Sequence, residues 1–209
     1  MNKSIQKFFA RRSVNIDITH RCSLECPRCP RQYLFKDKGL TVPGDDLSME
    51  NFKKVLRFMN HIDFEGQYSD PVHHPKFIEY LKMCRDKVSC EIHNGSSQKP
   101  KRWYIEAFEA NPNAHWVFSI DGLPEESHIY RVNQDGKKLY DIMKESTKYL
   151  KRKPTWQYII FSYNEDHIDQ AIELAKEAGV NFYLLQSSRW LDDDDPLIPK
   201  NPKYRMSTK

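Results

Sequence analysis

Two periods of hydrophobic pattern alternate along this chain. Ser13 to Thr19 switches between polar and apolar residues at every step, which predicts a first strand. Ser48 is placed to cap a helix over Met49 to Asn60, with Phe52, Val55, Leu56 and Met59 on one face. Ile62 to Phe64 reads as a second strand. Pro75 suits the first turn of a helix whose apolar face is Phe77, Ile78, Leu81 and Cys84. Val88 to Ile92 is a third strand, and Pro100 opens a helix carrying Trp103, Ile105 and Phe108. His115 to Ile120 is a fourth strand, followed by a helix over Lys138 to Lys151. Trp156 to Phe161 is a fifth strand. Asn164 or Asp166 then caps a helix with Ile168, Ala171, Ile172 and Ala175, and Gly179 stands where a helix C-terminus wants it. Val180 to Leu185 is a sixth strand, and Arg189 follows it. Residues 30 to 47 read as loop, with Gly39, Pro43 and Gly44 as breakers.

Strand then helix, six times over, predicts an α/β fold built on a parallel sheet of right-handed βαβ units. A closed eight-stranded barrel needs about 250 residues, and this chain has 209. The expectation is an open, partial (β/α)6 barrel, with a flat doubly wound sheet as the alternative. The units span residues 13–189, preceded by an N-terminal extension over 1–12 and followed by a polar tail over 190–209. That tail carries four consecutive aspartates, Asp192 to Asp195, a run read as solvated and without a role.

Composition narrows the class only slightly. Hydrophobic residues are 39% and charged residues 30%, an ordinary globular profile. No apolar run approaches the roughly 18 residues that span a bilayer, and the basic stretch Met1 to Arg12 lacks the apolar segment of a secretory signal. A cytoplasmic protein with reduced thiols is expected. The net charge of +4 suits an anionic substrate or partner but forms no concentrated basic stripe for nucleic acid.

Candidate chemistry begins at Cys22-Ser23-Leu24-Glu25-Cys26-Pro27-Arg28-Cys29, immediately after the first strand. Three thiolates spaced C-x3-C-x2-C can converge on one metal centre from a single loop. A structural zinc site or an ordinary iron–sulfur cluster takes four protein ligands. Three ligands leave an open metal position. The same triplet also suits a zinc knuckle completed by a distant Cys or His. The remaining two cysteines, Cys84 and Cys90, read as small core residues.

The spacing resembles the cluster loop of the radical S-adenosylmethionine (SAM) enzymes, and further motifs follow in register. Ser69-Asp70-Pro71 resembles the second-strand segment that binds the SAM amino group in that family, with one extra loop residue and Asp in place of Glu. His93-Asn94-Gly95 is similar to the segment after the third strand, and Ser119-Ile120-Asp121-Gly122 followed by His128 and Arg131 to the fourth-strand signature. The resemblance implies a [4Fe-4S] cluster on Cys22, Cys26 and Cys29, with SAM at the open iron. It implies SAM contacts from Ser69, Asp70, Asn94, Ser119 and Arg131, the last two meeting the SAM carboxylate. Arg28 departs from the family, which often has an aromatic residue near adenine at this position; its guanidinium can stack in the same way.

By that resemblance the chain is a radical SAM enzyme, in which reductive cleavage of SAM gives a 5′-deoxyadenosyl radical that abstracts hydrogen from a substrate. A flavodoxin or ferredoxin is the implied electron donor. A peptide or protein side chain is the expected substrate, with a small nucleotide-like metabolite as the alternative. From another class altogether comes a non-enzymatic zinc-binding interaction module. No catalytic side chain is assigned beyond these.

Overall fold

In the computed structural model, residues 12–187, 190, 192 and 194–206 are described. Most of the N-terminal extension, Arg189 and Asp193 lie outside them. Six strands pair in parallel, each with the next: β1 (Ser13–Asn15), β2 (His61–Phe64), β3 (Ser89–Asn94), β4 (His115–Ser119), β5 (Thr155–Ile159) and β6 (Asn181–Leu185). A doubly wound sheet would reverse its strand order at a switch point. The uninterrupted order excludes that alternative, and β1 and β6 form the two ends of an open sheet.

Between the strands lie α1 (Pro30–Lys38), α2 (Met49–Phe58), α3 (Phe77–Cys84), α4 (Lys101–Ala110), α5 (Gly136–Ser146) and α6 (Ile168–Ala178). Helices α2 to α6 bury their apolar stripes against one face of the sheet. Ile62, Phe64, Ile92, Trp116, Phe118, Trp156 and Tyr158 meet them there, each at most 1% exposed. Aromatic rings interlock across that layer, as where Phe108 meets Trp116 edge-on at 5.0 Å. Each fully buried ring contributes about 1.5–3 kcal/mol by leaving water.

Several expectations need correction. The first strand is shorter than predicted: Ile16 N–H still donates to the Asp63 carbonyl at 3.0 Å, but the chain then leaves the sheet and Thr19 Oγ1 bonds Asp46 at 2.6 Å. The predicted loop over 30 to 47 begins with helix α1. Pro30 fixes its first turn, and Gly39, at φ 63°, ends it in the left-handed region. Only Gln32 of this helix is buried, so it shows no apolar stripe in sequence. Neither Asn164 nor Asp166 caps α6; the Asn164 side chain instead closes its own turn, accepting from Phe161 N–H at 2.8 Å and donating to the Ile159 carbonyl at 3.0 Å. Helix α5 stops at Ser146 rather than Lys151.

The tail is not simply solvated. Asp195 has a fully buried side chain. Leu197 packs against a small second core of Leu24, Cys26, Tyr130, Ile159 and Phe161, which lies under the cysteine loop.

Candidate active site

The cysteine loop leaves β1 and is held by its neighbours rather than by regular structure of its own. Glu25 N–H donates to the Val132 carbonyl at 3.1 Å, and Asp70 N–H donates to the Arg21 carbonyl at 3.0 Å. Arg31, from the first turn of α1, reaches back to the Cys22 carbonyl at 2.6 Å. Ser23 Oγ lies 3.0 Å from Ser96 Oγ, and His73 Nε2 lies within reach of both hydroxyls. Cys29 is the N-cap residue of α1, so the third thiol sits at a helix start.

All five cysteines are free thiols. Burial, with the Asp70 carboxylate nearby, pushes Cys22 up to about 12. Burial also pushes Cys26 up to about 11, against the opposing pull of Arg131. Such thiols stay protonated until a cation takes the proton's place. Among the described residues no three His, Cys, Asp or Glu side chains stand close enough to share one metal ion. The three free thiols of this loop nonetheless supply the thiolate donors that an iron–sulfur cluster takes.

The three cysteines line a recess of about 100 Å³ together with Gly66, Ser69, Asp70, His93, Ser119, Tyr130 and Arg131. Gly66, His93, Ser119 and Arg131 also line an adjoining cleft of about 330 Å³ that runs towards Gln157, Leu185 and Met206. Of the residues expected at the site, Ser69, Asp70, Ser119 and Arg131 thus come to the cysteines. Asn94 does not reach the lining: it is fully buried, and its Oδ1 accepts from Ser96 N–H at 3.1 Å.

Each side chain has a local reason for its place. Ser69 is 2.5 Å from Asp17, to which its hydroxyl donates. Gly66 permits this tight loop, because a Cβ there would overlap the Ser69 carbonyl. Asp70 ties two strand ends together. Its Oδ2 accepts from Gly95 and Ser96 N–H, both at 2.8 Å, and its Oδ1 from Val72 N–H at 3.2 Å. Burial raises its pKa, opposed by His73 and those amides. Arg131 Nε donates to Asp121 at 2.7 Å. Burial disfavours its charge, but Asp121 and Cys26 more than offset this and raise its pKa. Asp121 also accepts from Ile159 N–H at 2.8 Å, which joins β4 to β5 beneath the arginine. Ser119 Oγ accepts from Gln157 Nε2 at 3.3 Å.

Sequence reading named His93 only within its motif and passed over the polar residues bonded around it on the sheet's open face. Glu91 lies between two histidines, 2.9 Å from His93 Nε2 and 2.7 Å from His115 Nδ1, and His115 Nε2 is 2.9 Å from Thr155 Oγ1. Hydrogen bonds from His115 and then His93 hold the Glu91 carboxyl far below the usual range. His61 and Asp63 make a second such pair at 2.5 Å. The period-two spacing of Glu91 and His93 was the available signal. The other omission was Asp195, whose Oδ2 accepts from Arg28 Nε and Nη2 at 2.8 and 2.6 Å.

No family model and no curated protein matches the chain. Solved structures do. SuiB of Streptococcus suis superposes with a TM-score of 0.71 at 13% identity, over 95% of this chain and 45% of that one. Its complex with the precursor peptide SuiA gives 0.67 at 12%, over 87% and 41%. Methylornithine synthase (PylB) gives 0.56 at 12%, over 88% and 58%. A SuiB structure bound to S-adenosylmethionine matches similarly, at 0.68 and 13% identity over 95% and 46%. The chain therefore spans less than half the length of SuiB. The likeness is one of fold: an open six-stranded α/β architecture shared with these radical SAM enzymes.

Proposed function

We propose that this chain is a radical SAM enzyme core that acts on a peptide or protein side chain. One observation carries the reading. Cys22, Cys26 and Cys29 lie in the loop between β1 and α1 and open onto a recess walled by Asp70, Ser119 and Arg131. These three cysteines would hold a [4Fe-4S] cluster, which when bound would supply the one-electron chemistry for reductive cleavage of SAM and hydrogen abstraction from a substrate C–H bond.

The chain's own residues supply position and charge. Arg131, fixed through Nε by Asp121, turns the rest of its planar fork to the SAM carboxylate, where paired donors match paired oxygens. Ser119 adds a hydroxyl beside it. Asp70 and Ser69, which line the same recess, would take the amino group. A carboxylate has about four acceptor sites, so the three amides on Asp70 leave capacity for an ammonium donor. Asn94 acts from behind, by shaping the turn at Gly95 and Ser96. Gly95 leaves room for Arg131: a Cβ would stand 3.0 Å from Arg131 Nη1 and 3.2 Å from Leu24 Cδ1, pressing on both side chains.

The cleft beyond the recess takes the substrate. SuiB, with the same fold, has been solved with a precursor peptide, and that supports a peptide substrate here. An electron donor of the flavodoxin or ferredoxin type completes the reading. Anaerobic incubation with SAM and dithionite tests the reaction class, and 5′-deoxyadenosine is the expected product. Colourless protein carrying about one zinc per chain and forming no 5′-deoxyadenosine would mark a binding module instead.

A further inference from the structure

Arg28 occupies the middle of the turn between the second and third cysteines, where Cys29 N–H closes onto the Cys26 carbonyl at 3.0 Å. Its partner Asp195 comes from 167 residues further along the chain. The pair is not an ordinary surface contact, since the Asp195 side chain is 0% exposed and that of Arg28 20%. Exposed ion pairs contribute about 0–1 kcal/mol. A buried carboxylate is tolerated only when paired and hydrogen-bonded, and Asp195 meets both conditions. Its Oδ1 accepts from Leu197 N–H, and its carbonyl from Ile198 N–H, both at 3.0 Å.

The segment that presents Asp195 is anchored again beyond it. Ser162, just past β5, donates its N–H to the Leu197 carbonyl at 3.1 Å and its hydroxyl to the Pro196 carbonyl. Glu165 takes the N–H groups of Lys200 and Asn201 through its two oxygens, each at 2.9 Å. Gln186 donates to the Lys203 carbonyl at 2.8 Å. Leu197 shares one apolar cluster with Cys26, and Met206 lines the cleft. The same short segment thus touches the metal-ligand loop, the ends of β5 and β6, and the substrate cleft.

We propose that residues 194–206 are a strap that sets the geometry of the cysteine loop, with Asp195 as the positioning residue acting through Arg28. The inference rests on the reading that this loop holds a cluster. The planar guanidinium explains the choice of Arg at position 28, since two N–H groups on one oxygen fix direction where a lysine would fix only distance. Coupling of this kind is reciprocal. A docked strap favours the cluster-competent loop, and a bound cluster in turn favours the docked strap.

Full-length protein reconstituted anaerobically with iron and sulfide tests both directions. The first measurement is the rate at which 2,2′-bipyridyl bleaches the absorbance near 400 nm. Asp195→Asn is expected to bleach at least ~10-fold faster than wild type. Arg28→Lys, which keeps charge but loses the fork, should bleach about 3-fold faster. The exchanged pair, Arg28→Asp with Asp195→Arg, should recover part of the loss, which a merely unfolded tail could not do. The second measurement is amide hydrogen exchange of residues 194–206, expected to slow when the cluster is loaded. Should Asp195→Asn fail to fold, Arg28→Lys and the wild-type exchange data decide alone. Equal bleaching rates in folded variants, or strap exchange indifferent to loading, overturn the strap while leaving the radical SAM reading intact. Wild-type protein that acquires no absorbance overturns both.

Discussion

The two faces of the sheet follow opposite rules. The face towards α2 to α6 is an aromatic and aliphatic layer in which Phe64, Trp116 and Phe118 are fully buried. The other carries Asp63, Glu91, His93, His115 and Gln157, all half-buried, with Glu91 bonded to both His93 and His115, Asp63 to His61 and Gln157 to Ser119. In a closed barrel the inner side chains fill the interior. Here they leave a cleft, and the carboxylate–imidazole pairs keep it polar without leaving a buried charge unpaired. One face holds the fold together and the other borders the proposed substrate cleft, so substitutions on the two should fail in different ways.

Phe108→Ala should have the largest effect, a loss of about 3–5 kcal/mol in denaturant unfolding, because it empties the space between Trp116 and Phe118. Asp121→Ala comes next. It strands the buried Arg131 charge, at a cost of about 3 kcal/mol, and it should also weaken SAM binding measured by calorimetry on the reconstituted protein; stability lost without any change in SAM affinity would remove Arg131 from the site. Glu91→Gln belongs to the open face and should cost about 1.5 kcal/mol at pH 7, with a pH signature. The folded-state pKa of Glu91 is depressed, so its contribution is present above the ordinary value of 4.5 and disappears as pH falls through the folded value. Wild type and variant should therefore converge in thermal stability on acidification, and a constant gap would refute the carboxylate–imidazole assignment. Ser48→Ala removes only the hydroxyl that accepts from Asn51 N–H at the start of α2 and should cost about 0.5–1 kcal/mol, leaving the cleft untouched.

The same contrast explains what could be read without coordinates. Apolar periodicity reports the packed face, so the six strands, helices α2 to α6 and Gly179 were visible. Helix α1 was not, because Tyr33 and Phe35 are 55% and 58% exposed and leave no stripe to detect. The cysteine motif was local and legible. Asp70, Ser119 and Arg131 converge only because parallel strands bring their C-terminal ends together, so their link to the cysteines came from motif resemblance and register. The role of Asp195 had no sequence signal: its partner is 167 positions away, and its anchors are backbone groups that any residue carries. Asn164 misled because its amide satisfied the turn after β5 rather than the helix that follows.

The central claim is that three cysteines at the end of the first strand hold a cluster that opens onto SAM. Anaerobic reconstitution of wild type and Cys26→Ala, followed by SAM and dithionite, tests it most directly by chromatography of 5′-deoxyadenosine. Wild type should be brown and form the nucleoside, while Cys26→Ala should be folded, colourless and inactive. Nucleoside at equal yield from both proteins, or from neither despite a fully loaded wild-type cluster, would contradict the account.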